Sequence, residues 1–149
     1  MDVVAELVAP CSPAELYHWV EDLELYPQWL EIVTRAVRLD DDVWEIDLRG
    51  RLGPLARSKR LQMVRTVHDG ATARFERVES DGRDHSPWVL EVVVAPNNEV
   101  DGDAGEHSEG THLRMHLHYG GGLFGPVLER LLRDEIERSR ERLLALVGA

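Results

Sequence analysis

Apolar and polar side chains alternate one for one from Trp44 onward: Trp44, Ile46 and Leu48 face one way, and Glu45, Asp47 and Arg49 the other. A period of two marks a strand with one buried face. Similar strand patterns recur at 57–67 and 71–79, and then with Ser86, Trp88, Leu90, Val92 and Val94 on one face. They return at 111–119, where Leu113, Met115, Leu117 and Tyr119 oppose His112, Arg114, His116 and His118. Val3 to Ala9 reads as a first strand, stopped by Pro10. Gly53-Pro54, His68-Asp69-Gly70 and Ser80-Asp81-Gly82 supply turns between strands. The stretch 97–110 is polar and acidic, and it is expected to be the most mobile loop of the chain.

Elsewhere the period is helical. Ser12-Pro13-Ala14-Glu15 predicts a helix start, with serine as N-cap, proline at N1 and glutamate at N3. Leu16, Trp19, Val20 and Leu23 follow at helical spacing. Leu25 to Leu30 predicts a second short helix with Pro27 in its first turn. After Gly120-Gly121-Gly122, the stripe Phe124, Leu128, Leu131, Leu132, Ile136, Ser139, Leu143, Leu146 and Val147 predicts one long amphipathic helix. The expected fold is α+β: a seven-stranded antiparallel sheet curved around this long C-terminal helix, with two short helices after the first strand. A one-sided sheet must cover its apolar face, and only the last helix is long enough to do so. The space between the two is the natural ligand cavity. No repeat or linker divides residues 1–149, so a single domain is expected.

Composition narrows the function. A formal charge of −11 argues against nucleic acid as a partner. No apolar run spans a bilayer, so stable membrane insertion is not expected. The first residues lack a basic segment before an apolar run, and Cys11 is the one cysteine; both favour a cytoplasmic location. Lys59 is the one lysine against sixteen arginines.

The strand into Ala9-Pro10-Cys11-Ser12-Pro13-Ala14-Glu15-Leu16, then Trp19-Val20 and Tyr26-Pro27-Gln28-Trp29-Leu30, resembles the polyketide cyclase/dehydrase and lipid-transport family of the START-like (Bet v 1-like, SRPBCC) superfamily. The glycine-rich hinge before a long amphipathic helix fits the same pattern. The resemblance covers essentially the whole chain. It implies a helix-grip fold with a deep apolar cavity, and a function among lipid, sterol, quinone or other hydrophobic-ligand binders and polyketide aromatase/cyclases. It carries no catalytic residue onto this sequence.

Tyr26, Trp29, Trp44, Phe75, Trp88, Met115, Tyr119 and Phe124 are the candidate ligand-binding residues, because aromatics offer contact area and methionine adapts its shape. Trp29 is expected at the rim. Plain core packing is the competing reading for each. Arg65, Arg74, Arg77, His85, Ser86 and Tyr119 are the polar groups that cyclase chemistry would need inside the cavity. His112, His116 and His118 lie opposite the apolar face and point to solvent, so no metal and no other cofactor is expected. Cys11 precedes a helix start, and an inert thiol is expected there.

Three functions are weighed: binding or transport of a small hydrophobic ligand (lipid, quinone or polyketide), an aromatase/cyclase using the same cavity, and a surface interaction module with an incidental cavity. The stretch Arg49–Arg65 holds Arg49, Arg51, Arg57, Lys59, Arg60 and Arg65 with no acid. It reads either as a solvated strand face or as a docking site for an acidic carrier protein.

Overall fold

The computed structural model describes residues 1–50, 58–79, 85–97, 100–101, 106–107, 110–120 and 125–147. Strand β1 (Asp2–Ala9) leads into α1 (Pro13–Val20) and a short 3₁₀ helix (Leu23–Gln28). Strands β2 (Val33–Asp40), β3 (Val43–Leu48), β4 (Lys59–His68), β5 (Thr72–Arg77) and β6 (Trp88–Pro96) follow. A two-stranded ribbon, β7 (Val100–Asp101) and β8 (Glu106–His107), precedes β9 (Thr111–Tyr119) and helix α2 (Gly125–Val147). The main sheet has seven strands in the order β1-β9-β6-β5-β4-β3-β2, every pairing antiparallel. The first strand therefore closes against the last, and β2 forms the other edge.

The alternating residues become the inner face. In register across the sheet stand Trp44 with Met63, Ile46 with Leu61, Phe75 with Leu90, Leu90 with Leu117, and Val92 with Met115. Leu128, Leu132, Ser139, Leu143 and Val147 of α2 are buried against that face. With 23 residues, α2 is about 35 Å long, enough to cross the sheet.

The start of α1 is as its sequence predicts: the Ser12 side chain accepts from the Glu15 N–H at 3.2 Å. The second short helix differs. It begins at Leu23 because Asp22 Oδ1 caps it, accepting from the Glu24 N–H at 2.9 Å, and Pro27 lies near its end. Strand β2 has no clear sequence alternation because it is an edge strand whose side chains, Val37 and Leu39 among them, are largely exposed. Of the acidic 97–110 stretch, 98–99, 102–105 and 108–109 lie outside the described residues, while β7 and β8 pair as a short ribbon.

The α1 segment is fastened to the sheet by polar contacts. The Tyr17 hydroxyl donates to the Thr72 carbonyl at 2.9 Å and accepts from the Gly70 N–H at 3.2 Å, which ties it to the β4–β5 turn. Gly70 itself has φ +89°, and Asp69 Oδ1 accepts from the N–H groups of Ala71 and Thr72 in the same turn. Gly110, with φ +138°, enters β9 so close to β1 that an added Cβ would stand 2.6 Å from the Ala9 carbonyl oxygen. Backbone cannot give way there. Gly110→Ala is expected to destabilise the fold by about 1–3 kcal/mol, read as a lower urea midpoint at unchanged m-value.

Candidate functional site

Between the inner face and α2 lies a cavity of about 60 Å³. Its floor is Ile46 and Leu48 of β3, Leu61 and Met63 of β4, Trp88 and Leu90 of β6, and Met115 and Leu117 of β9. Leu23, Tyr26, Leu30, Ile32 and Val33 close one side, and Leu132, Glu135 and Ile136 of α2 form the roof. The walls are apolar apart from Glu135. A space of this size holds a few waters at most. Ligand pockets for small molecules run to roughly 300–1,000 Å³. A larger guest must therefore part the walls. The strands are locked by their hydrogen-bond ladders, whereas α2 is held by side chains, so the opening falls to α2 and to adaptable linings such as Met63 and Met115.

The structure distributes the candidate residues by depth. Tyr26, Trp88 and Met115 line the cavity. Tyr26 is fully buried, its hydroxyl donates to the Val20 carbonyl at 2.8 Å, and burial holds that phenol far above its ordinary range. Tyr119 packs against Trp88 with ring centroids 4.6 Å apart and the rings tilted by 43°. Trp29 is not a rim residue: it is 3% exposed, its indole N–H donates to the Trp19 carbonyl at 3.1 Å, and it packs on Tyr26. It borders a smaller crevice, about 20 Å³, between β1, β9 and the second half of α2. Trp44 and Phe75 share the inner face but lie outside the cavity lining, in an edge-to-face cluster with centroids 5.7 Å apart. Phe124 lies outside the described residues.

Cation placement separates the polar candidates. Arg74 lies near Glu76 and Glu91 on the outer face. Arg65 is turned inward but is structural: it pairs with Asp42 at 2.6 Å, donates to the Glu21 carbonyl at 2.8 Å, and lies over the Trp44 ring. Arg77, Glu79 and His85 meet at the end of the inner face where β4 and β6 begin. Arg77 reaches Glu79 through two hydrogen bonds of 3.0 Å, donates to the Ser86 carbonyl at 3.2 Å, and contacts His85 Nδ1 at 3.0 Å. His85 Nε2 stands 2.9 Å from Glu79 Oε2. Burial opposes the charge on Glu79. The hydrogen bonds from Arg77 and from the Gln62 N–H, with the charges of Arg77 and His85, overturn that and leave its carboxyl below its ordinary range.

Lys59 belongs to the same end. It stands on the inner face in register with Leu48, two residues before Leu61, and its Nζ lies 5.9 Å from the Trp88 ring centroid and 5.8 Å from that of Tyr119. Burial, and then the charge of Arg77, lower the pKa of its ammonium, against a smaller raising effect from Glu79. Of the basic stretch around it, Arg51 and Arg57 lie outside the described residues, Arg60 pairs with Asp47 at 2.8 Å, and Arg49 is exposed. Lys59 and Arg65 thus leave the surface on which a docking patch would have to form.

Glu135 escapes a reading of the helix by apolar residues alone. It is 2% exposed on the covered stripe of α2, where it is paired with Arg138. Arg138 and Arg142 also approach Glu31, at 3.8 and 3.4 Å, linking α2 to the segment before β2. On the outer face, His116 and His118 both contact Asp2 Oδ1, at 2.8 and 3.0 Å, fastening β9 to β1. Cys11 is part-buried, and burial followed by the charge of Glu15 holds its thiol up, which disfavours the thiolate.

A family model described as polyketide cyclase / dehydrase and lipid transport matches residues 1–148. Among solved structures, a START superfamily protein from Mycobacterium smegmatis is similar at 15% identity and TM-score 0.69, over 99% of this chain and 97% of that one. A protein from Deinococcus radiodurans is similar at 20% identity and TM-score 0.65, over 97% and 99%. The di-domain ARO/CYC StfQ from the steffimycin biosynthetic pathway is similar at 13% identity and TM-score 0.68, over 99% of this chain and 50% of StfQ. No curated protein matches the sequence.

Proposed function

Since the chain belongs to the polyketide cyclase / dehydrase and lipid transport family, we propose that it binds a small hydrophobic ligand between the sheet and α2. The observation that supports this most is the lining: residues from five strands, the 3₁₀ helix and α2 converge on one space, and nearly every wall is apolar. The ligand enters as α2 lifts, and burial of its apolar surface supplies affinity at about 25 cal/mol per Å² before the cost of opening.

Trp88 is the natural reporter of this event. Titration with fatty acids, quinones or flat polyphenols is expected to quench or shift tryptophan emission. Trp88→Phe should remove most of that response, while Trp29→Phe, outside the cavity, should leave most of it. A flat titration across all three ligand classes would overturn the reading.

Glu135 favours a second reading, chemistry of the aromatase/cyclase kind. Glu135 borders the cavity with its carboxylate paired to Arg138; released from Arg138, that carboxylate would take a proton from an activated methylene of a poly-β-ketone. In that case Glu135→Gln would abolish turnover of such a substrate and leave its binding intact, whereas a carrier would be indifferent to the change. Delivery by an acidic carrier protein would use the exposed Arg49 and Arg60 of the basic stretch.

A further inference from the structure

Where β4 and β6 begin, beside the cavity, stand two donors with no hydrogen-bond partner among the described residues, one buried and one part-buried. The Trp88 indole N–H is buried and has no hydrogen-bond partner. The Lys59 ammonium, over the Trp88 and Tyr119 rings, has no hydrogen-bond acceptor among the described residues. A buried donor without an acceptor destabilises the fold, so the Trp88 indole N–H is the group that gains most from a ligand oxygen. The nearest acid, Glu79, is engaged by Arg77, so Lys59, Arg77 and Glu79 together leave one positive charge. Burial also weakens the hold of Lys59 on its proton, which is the response of a cation that the fold does not neutralise.

These unmet groups adjoin apolar walls. Leu48, Leu61 and Trp88 all line the cavity, and they flank Lys59 across the strand, along the strand and over its ammonium. Building on the ligand-binding reading above, we propose that the ligand is an amphiphile with a carboxylate head, seated at Lys59 and Trp88 with its apolar body in the cavity. The head would replace solvent at the ammonium and give the indole N–H its acceptor. Arg77 would hold Glu79 away from the incoming carboxylate.

The single lysine makes the test clean. Decanoate and 1-decanol share a tail and differ in the head. Wild type should bind decanoate about tenfold more tightly than decanol, the size expected of a charge-assisted hydrogen bond. Lys59→Met, which keeps the apolar stem, should erase that preference, and Lys59→Arg should retain most of it. Reductive methylation with ¹³C-formaldehyde labels only Lys59 and the amino terminus, so the Lys59 resonance should move with decanoate and hold still with decanol. Equal binding of the two ligands by wild type, or a preference that survives Lys59→Met, would overturn the head-group assignment and leave the cavity reading standing. Binding of neither ligand would overturn both. A thermal melt of each variant shows that it is folded before binding is compared.

Discussion

Phe75→Ala is expected to lower stability by about 3–5 kcal/mol, a large part of the roughly 5–15 kcal/mol that holds a domain together. Phe75 is fully buried at the centre of an aromatic group, edge-on to Tyr26 at 6.2 Å and to Trp44 at 5.7 Å. Removing the ring takes support from the 3₁₀ helix on one side and from β3 on the other. Relaxation is limited because both neighbours are tied elsewhere, Tyr26 to the Val20 carbonyl and Trp44 beneath Arg38 and Arg65. Urea unfolding measures the loss. A cost under about 1 kcal/mol would mean that the group collapses into the space, and that its geometry does not set the position of the 3₁₀ helix.

Arg77→Met is expected to cost about 3 kcal/mol at neutral pH, because Glu79 would then keep its charge in a largely covered site without its main partner. The side chains of Arg77 and Glu79 are 8% and 14% exposed. The pH dependence separates this from lost packing. In wild type the Glu79 carboxyl is held below its ordinary range, so its contribution is present above the unfolded value of about 4.3 and is lost as pH falls through the folded value. Without Arg77 the burial effect leads and the carboxyl moves upward. The variant then carries a cost at neutral pH that is relieved as the carboxyl takes up a proton. The gap in Tm between wild type and variant should narrow from pH 7 to pH 4. A gap that stays constant would mean that Arg77 acts by packing alone.

Much of the architecture could be read from the chain because burial is one-sided. β1, β3, β4, β5, β6 and β9 each alternate, and α2 carries an apolar stripe. β2 was not assigned for the reason that makes it an edge: with Val37 and Leu39 exposed, neither of its faces is dry enough to impose a period. In the candidate site, parity settles which face a side chain takes but not how far along the strand the cavity lies. Trp44, Phe75 and Trp88 all face inward, yet only Trp88 reaches the cavity. Two residues were hidden by their own charge. Glu135 falls on the spacing Leu128, Leu132, Glu135, Ser139, Leu143, but a glutamate on a helix is first read as solvent-facing. Lys59 follows the parity of Leu61 and Met63, but it stands within a run of arginines that read as a surface patch. A charged residue in phase with an apolar stripe is the signal that would have found both.

The closure of β1 on β9 also bears on how the chain reaches this state. Strands β2 to β6 pair with their neighbours in sequence, so their hairpins can form from local encounters. Asp2, by contrast, is aligned with His118, and the Thr111 hydroxyl donates to the Cys11 carbonyl across 100 positions. The entropy of closing such a loop must be spent before these contacts return anything. During synthesis β1 emerges first and waits for β9, while the apolar inner face waits longer still for α2. Until α2 is made, the apolar inner face has no cover, and a chain paused at that stage presents an adhesive surface to its neighbours.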